Sequence, residues 1–234
     1  MQTISNPEFA NAYSSKYFIY IAVLFVAVLM ISNTIAVKII QLGPLFISGA
    51  TIIFPLSYIF GDILTEVYGY AASRRIIWLG FVVMILMALT YWIVQILPAA
   101  PFWQGQAAYE SILGVVPRIV LASLIGYFIG EFCNSYVLSK MKIWTEGRHL
   151  WTRTISSTVV GEGVDSVLFA TIAFAGIIPW PELWQLIGSI YAFKVAIEVI
   201  FTPLTYIIVN RLKRAEGMDV YDIGVDYNPF HIKA

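Results

Sequence analysis

The chain has 234 residues, of which 59% are hydrophobic and 12% are charged, and its formal net charge is zero. Soluble domains carry about 25% charged residues, so this composition excludes an ordinary soluble protein and indicates a chain that crosses the bilayer several times. The balanced charge favours no particular class of partner.

Six apolar segments follow one another between polar tails at 1–16 and 210–234. Each segment is close to the ~20 residues that a helix needs to cross the hydrocarbon. We predict spans at about 17–37, 46–68, 76–97, 118–138, 154–178 and 183–209. The sequence therefore predicts an all-α integral membrane protein in which 17–209 form one six-helix transmembrane domain.

The basic residues are distributed unevenly among the connections between spans. Nine of the fourteen lie after spans two and four and at the start of the C-terminal tail: Arg74, Arg75, Lys140, Lys142, Arg148, Arg153, Arg211, Lys213 and Arg214. The connections after spans three and five carry none. Because cytoplasmic loops are enriched in Lys and Arg, we expect both termini to be cytoplasmic, and we assign Arg74 and Arg75 to this orientation signal alone.

The second predicted span places Asp62 and Glu66 four residues apart, which puts both carboxylates on one face of a helix. A charge in hydrocarbon costs several kcal/mol. Both acids should therefore face the interior of the bundle. The alternative for Glu66 is that it reaches water at the helix end, near Arg74.

Acids outnumber bases within the predicted spans. The acids are Asp62, Glu66, Glu131, Glu162, Asp165 and Glu198, and the bases are Lys38, Arg118 and Lys194. Lys194 and Glu198 are one helical turn apart, so one interpretation is that they satisfy each other. The remaining acids must take up protons, or meet a cation or the donors of a ligand. Ionisable residues on several membrane helices indicate a polar interior cavity with a transport role.

No pattern favours catalysis. His149 and His231 stand in a loop and a tail without a second metal-ligating residue nearby, and the predicted spans contain no histidine that would activate a serine. The stretch 161–165 differs by one position from the Gly-x-Gly-Asp element of intramembrane aspartyl proteases. We expect a protein that is not an enzyme and uses no cofactor or metal. An embedded hydrolase stays an alternative if Asp62 and Asp165 share a water molecule.

A series of short motifs resembles those of the YhhQ-type queuosine precursor transporters, the VUT family. The motifs are Ser32-Asn33, Phe54-Pro55 with Asp62, Ala71-Ala72-Ser73-Arg74-Arg75-Ile76-Ile77, Trp103-Gln104-Gly105, Arg118 with Ala122-Ser123, Tyr127 and Gly130, Ser156 with Asp165, and Tyr191-Ala192-Phe193-Lys194. They occur in order between 32 and 203, and the ordered set is more specific than any one piece. The tail at 219–230 also resembles the ending of many members.

The resemblance implies import of a 7-deazaguanine base, the cyano or aminomethyl precursor of the tRNA nucleoside queuosine, across a prokaryotic cytoplasmic (inner) membrane. It also implies a fold similar to the substrate-binding subunits of energy-coupling-factor importers, working without a dedicated ATPase. The alternative is a vitamin-type binding subunit of an ATP-driven importer. Proton linkage and facilitated diffusion followed by metabolic trapping both fit. We expect no direct contact with nucleic acid, and a homo-oligomer stays open.

The ligand chemistry assigns roles to several of these residues. A guanine-like edge offers two adjacent N–H donors and one carbonyl acceptor, so Asp62 or Asp165 would take the donors. The carbonyl would bind to Asn33, Gln104 or Lys194.

A flat heteroaromatic also needs a stacking wall, for which Trp103 and Tyr127 are candidates. Trp103 has the alternative role of an anchor at the membrane interface. Glu66 would suit the cationic aminomethyl form.

Three further residues complete the predicted site, and each has an alternative role. Arg118 is either a ligand contact or a helix-end residue that reaches lipid headgroups. Glu131 and Glu162 either touch the ligand or only support the residues that do. The C-terminal tail is expected to be solvated, and the alternative is a lid on the cytoplasmic mouth.

Overall fold

The computed structural model describes residues 15–42, 45–114, 116–176 and 179–230. Most of the predicted N-terminal tail, the end of the fifth predicted span and the chain end with His231 lie outside these ranges. The elements in chain order are α1 (Phe18–Ile35), β1 (Ile39–Leu42), β2 (Leu45–Ser48), α2 (Ala50–Ile53), α3 (Pro55–Tyr68), α4 (Tyr70–Ile96), α5 (Gln106–Leu113), α6 (Val116–Trp144), α7 (Leu150–Phe174) and α8 (Trp180–Glu216).

Within the described ranges, six helical segments are long and apolar enough to cross a membrane, and α2 and α3 count as one of them. The predicted all-α, six-span class is confirmed. Several bounds were wrong, because α4 already begins at Tyr70, α6 continues to Trp144 and α8 continues to Glu216. Lys and Arg are good helix formers, so a basic residue marks the edge of the hydrocarbon without ending the helix.

A short antiparallel hairpin, β1 with β2, connects α1 to α2 and was not predicted. Its backbone pairs Ile39 with Ser48 and Leu42 with Leu45. The second span consequently begins at Ala50, whereas the sequence predicted residue 46. Periodicity alone does not separate a short apolar strand from the start of an apolar helix.

Helix α3 occupies the centre of the bundle and packs against α1, α4, α6 and α8. Pro55 stands at its first turn, where the missing N–H has no helical partner to lose. The helix ends at Gly69, whose φ of 86° lies in the region that favours glycine. Because α4 begins at the next residue, the chain makes a sharp corner there.

Helices α6 and α7 pack closely because glycines face each other at their crossing. Gly126 and Gly130 stand four apart on α6, and Gly161 lies opposite on α7. A Cβ atom added to Gly130 would lie 2.8 Å from the carbonyl oxygen of Gly161 and 2.8 Å from Cβ of Asp165. Small residues spaced by four allow membrane helices to approach closely, and this approach carries the acids of α7 to the wall of α6.

Helix α8 is 37 residues long and carries Pro203 in its interior. A proline has no N–H, so the carbonyl of Val199 loses its usual partner four residues ahead. The helix ends at Gly217, which adopts a left-handed conformation.

The segment 217–230, which we call the docked tail, folds back onto the end of the bundle that carries most basic residues, the basic end. Asp222 accepts a hydrogen bond at 3.0 Å from the backbone N–H of Tyr70 and one from Ser139. Trp78 donates its indole N–H to the carbonyl of Pro229 at 2.8 Å. The prediction of a solvated tail was wrong, because the tail supplies acceptors to buried donors.

Arg74 has a role beyond orientation, contrary to the prediction. It is only 3% exposed, and its Nη1 donates at 2.7 Å to the carbonyls of both Asp226 and Asn228. The guanidinium therefore ties the docked tail to α4.

Candidate functional site

A cavity of about 70 Å³ lies between α1, α2, α6, α7 and α8. Its lining residues are Ser32, Asn33, Ala36, Ala50, Thr51, Phe54, Ser123, Asp165, Phe169, Ile190 and Lys194. This volume holds a few water molecules. The cavity lies nearer the end of the bundle opposite the basic end, since Asn33 is close to the end of α1 and Thr51 close to the start of α2.

A buried ion-pair cluster forms one wall of the cavity. Nζ of Lys194 lies 2.5 Å from Oδ2 of Asp165 and 2.7 Å from Oε2 of Glu162. The interpretation that Lys194 pairs with Glu198 is not what the structure shows, because both of these partners lie on α7. An ammonium group has three donors, so one N–H of Lys194 stays available for a ligand.

The remaining walls combine an aromatic face with short polar side chains. Nζ of Lys194 lies 4.7 Å from the ring centroid of Phe54, a cation–π distance. The amide nitrogen of Asn33 donates to the carbonyl of Leu29 at 2.9 Å and to Sδ of Met84 at 4.0 Å. The walls therefore combine an ammonium donor, carboxylate acceptors and an aromatic face.

Asp62 and Glu131 do not line the cavity. With Glu198 they form a second group, the buried acid group, deeper in the bundle toward the basic end. Asp62 accepts a hydrogen bond from Nδ2 of Asn134 at 2.8 Å. Asp62 and Asp165 have different partners, Asn134 and Lys194, so no shared contact supports the hydrolase alternative.

Glu66 lies in a third cluster, at the basic end, and is neutralised by cations from three helices. Its Oε1 lies 2.6 Å from Nη2 of Arg153, 2.6 Å from Nζ of Lys213 and 3.6 Å from Nζ of Lys142. Asp219 of the docked tail joins the cluster at 2.7 Å from Lys142. Partial burial alone would raise the pKa of Asp219, but hydrogen bonds from Lys142 and Lys213 hold that pKa below its ordinary value. Glu66 is therefore no surplus acid for a cationic ligand.

The other predicted residues lie away from the cavity lining. Trp103 and Gln104 are exposed between α4 and α5. Arg118 donates at 2.9 Å to the carbonyls of Ile172 and Ala175, joining α6 to the end of α7.

Tyr127 is buried among the rings of Phe54, Tyr58 and Phe81 and stands behind the cavity wall. Sequence reasoning missed Phe54, Phe169, Thr51 and Ser123 as lining residues. A signal for Phe54 and Ser123 existed, since both stand in motifs of the family resemblance.

Comparison with known proteins supports a transport role. Residues 48–208 match the profile of the family described as "Putative vitamin uptake transporter". The chain belongs to this family. Three curated relatives have names that agree with one another: "Probable queuosine precursor transporter" of Bacillus subtilis (strain 168), "Queuosine precursor transporter" of Escherichia coli (strain K12) and "Probable queuosine precursor transporter" of Haemophilus influenzae (strain ATCC 51907 / DSM 11121 / KW20 / Rd).

The likeness to these relatives covers most of each chain. Identity to the Bacillus protein is 30%, over 75% of this chain and 77% of that protein. The Escherichia and Haemophilus proteins are 29% and 28% identical, over 68% and 70% of this chain and 71% and 69% of their own. The chain is thus a multi-pass transport protein of the bacterial cytoplasmic membrane, not an enzyme. No solved structure matches it, so the similarity to energy-coupling-factor subunits stays a prediction.

Proposed function

We propose that this protein imports a queuosine precursor, a 7-deazaguanine base, and binds it in the cavity beside Lys194 and Asp165. The observation that carries the proposal is a buried carboxylate–ammonium pair that faces an aromatic-walled cavity between five helices. The names of the three relatives give the substrate class.

The donors and acceptors of the cavity suit the two edges of such a base. The carboxylate of Asp165 has lone pairs beyond the one that Lys194 engages, so it accepts the adjacent N–H groups of a guanine-like edge. The spare N–H of Lys194 donates to the base carbonyl. Phe54 supplies the stacking wall, and Glu162 holds Lys194 in place.

The position of the cavity at one end of the bundle and the closed basic end at the other fit an outward-facing state. Because Lys and Arg favour the cytoplasmic side, the basic end is assigned to the cytoplasm together with both termini, and the cavity then lies toward the outside. The Glu66 cluster and the docked tail close the cytoplasmic end. Import then proceeds by alternating access, in which the cavity closes outside and the basic end opens.

The test is uptake of radiolabelled 7-cyano-7-deazaguanine into proteoliposomes that contain only this protein. We expect saturable uptake, and we expect Asp165→Asn to weaken binding. Hydrogen bonds to a charged group contribute roughly 1.5–3 kcal/mol, which corresponds to a loss of about tenfold or more in affinity.

Glu182→Gln is the matched control, because Glu182 is an exposed acid in the first turn of α8 and distant from the cavity lining. Binding without uptake would replace the solitary importer by a binding subunit that needs an ATPase. The absence of both would overturn the substrate class.

A further inference from the structure

The acids within the spans fall into two sets that differ in their counter-charges. Glu66, Glu162 and Asp165 each lie within 4.0 Å of a Lys or Arg nitrogen. For Asp62, Glu131 and Glu198, the described part of the chain supplies no cationic nitrogen within that distance. These three members of the buried acid group are 0%, 0% and 2% exposed.

The charged groups that face the buried acid group from the neighbouring helices are other carboxylates, of which Glu66, Glu162 and Asp165 are themselves paired with cations. The electrostatic neighbours of Asp62 are Glu198 on α8, Glu131 on α6 and Glu66 on its own helix. Glu131 also faces Glu162 and Asp165 of α7, together with the hydroxyl of Tyr127. Glu198 faces Glu162 across the α7–α8 contact. An ionised carboxylate that is buried without a counter-charge is strongly unfavourable, so this group cannot hold three negative charges at once.

Unpartnered buried atoms point independently to a bound proton. Nδ2 of Asn134 donates to Oδ1 of Asp62, whereas Oδ1 of Asn134 and Oδ2 of Asp62 are both buried without a hydrogen-bond partner. A carboxylate and an amide carbonyl are both acceptors. A proton on Oδ2 of Asp62 turns it into a donor suited to the amide oxygen. Oε2 of Glu131 and Oε1 of Glu198 are further buried carboxylate atoms without a partner.

We infer that the buried acid group is a proton-binding site, centred on Asp62 and separate from the cavity, that links transport to proton movement. The inference rests on the proposed function. Asp62 stands one helical turn from Glu66, and Glu198 stands one turn from Lys194, so the group lies between the cavity and the Glu66 cluster. A proton that enters from the cavity side binds a carboxylate there and leaves at the basic end, which restores the ionised carboxylate. The described residues contain no grouping of acids, His or Cys suited to a metal ion, whereas a proton needs only one of the unpartnered carboxylate oxygens.

The test uses proteoliposomes with and without an inward proton gradient, and radiolabelled 7-cyano-7-deazaguanine, whose neutrality removes any effect of the gradient on the substrate itself. We expect the gradient to raise the initial uptake rate of the wild type severalfold. Asp62→Asn should abolish that increase and keep base-for-base exchange and the dissociation constant within about twofold of wild type. A pH-sensitive dye in the vesicle lumen should show base-dependent proton entry for wild type and none for the variant.

Two further variants separate the outcomes. Glu131→Gln neutralises a second member of the group and should reduce the gradient effect, and Glu182→Gln should leave it unchanged. Asp62→Asn should also keep the melting temperature of wild type, because the amide replaces a carboxyl that is already neutral.

Loss of binding in Asp62→Asn, or a gradient effect that survives in it, would overturn the proton site. A wild type that transports without any gradient effect would overturn the site and leave the proposed function intact. A wild type that neither binds nor transports the base would overturn the proposed function itself.

Discussion

Lys194 is the residue on which the local charge balance of the cavity depends. It is the cation that the structure places against two buried carboxylates, Asp165 and Glu162, at 2.5 and 2.7 Å. A buried ion pair adds little stability compared with apolar residues, yet removal of one partner is costly because it leaves a buried charge uncompensated.

We predict that Lys194→Met lowers the free energy of unfolding by about 3–5 kcal/mol, because both carboxylates lose their counter-charge. Denaturant unfolding in detergent measures the change. The triple variant with Asp165→Asn and Glu162→Gln should recover much of the loss. A Lys194→Met protein as stable as the wild type would contradict the ion-pair cluster.

The sequence predicted that these ionisable residues face the interior, but not which of them pair. Lys194 and Glu198 are adjacent on one helix, so a local pattern favoured that pair. The observed partners come from α7, and their approach depends on the rotation and depth of two packed helices. A single sequence carries neither quantity. Glu66 illustrates the same limit, since its three cations come from α6, α7 and α8.

The α6–α7 crossing shows how one element sets the position of another. Gly130 has no room for a methyl group, since its added Cβ would lie 2.8 Å from the backbone of Gly161. Gly188 on α8 is also helical, but nothing lies within 4 Å of a Cβ added there.

We therefore predict that the same Gly→Ala substitution changes stability in different directions at the two positions. Gly130→Ala should destabilise the protein by about 1–3 kcal/mol through overpacking and should weaken ligand binding, because it displaces Asp165. Gly188→Ala should be neutral or stabilising by up to about 1 kcal/mol, since Ala is the better helix former. Melting temperatures in detergent compare the two. Equal effects would contradict the close crossing.

The docked tail acts as a cap for α4. The first N–H groups of a helix lack helical partners, and the carboxylate of Asp222 accepts the N–H of Tyr70 at 3.0 Å. A residue far away in the sequence thus performs a task that usually falls to the residue just before the helix, and Gly69 has no side chain to perform it.

We predict that Asp222→Ala releases the docked tail, because Tyr70 and Ser139 lose their acceptor. Hydrogen exchange should show faster exchange at the N–H of Tyr70, and limited proteolysis should cleave within 217–230 at lower protease concentration. Ile223→Ala is the control, since Ile223 is 75% exposed and should leave both readouts unchanged. Cleavage of the wild type at the same rate as Asp222→Ala would show that the tail is not held.

The tail could not be predicted as docked because its composition is that of a solvated segment. Besides the side chains of Asp219 and Asp222, the tail is held through its backbone carbonyls, which accept hydrogen bonds from Arg74, Trp78 and Lys142. Backbone carbonyls are the same in every residue, so no pattern in the tail itself reveals that they are used.

At the scale of the whole molecule, the six spans could be predicted because hydrocarbon thickness limits each apolar segment independently of the others. The order and number of spans follow from that one constraint. The cavity does not follow from hydrocarbon thickness, because it forms where five elements meet. Of its uncharged walls, Asn33 was predicted, whereas Ser32 and Phe54 stood in family motifs without being assigned to the site.

The Glu66 cluster also predicts a shift between conformational states. Weakening the closed cytoplasmic end favours the inward-open state, because a two-state equilibrium moves by the difference in stabilisation of its states. Glu66→Gln should therefore lower the labelling of a Ser123→Cys, Cys133→Ala protein by a membrane-impermeant maleimide applied outside the cell. Glu182→Gln in the same background is the control. Unchanged labelling in Glu66→Gln would contradict a role for the cluster in keeping that end closed.

Helix α8 connects the cavity to the Glu66 cluster, because it carries both Lys194 and Lys213. The two are separated by nineteen positions, roughly 28 Å along a straight helix at ~1.5 Å per residue. In a straight, uninterrupted helix of that length, a tilt at the Lys194 end would be accompanied by the same tilt at the Lys213 end. Pro203, between them, removes one hydrogen bond and crowds the preceding turn, so it favours bending of α8 at this point, a joint between its two halves. The stiffness of that joint then determines how strongly the two lysines move together.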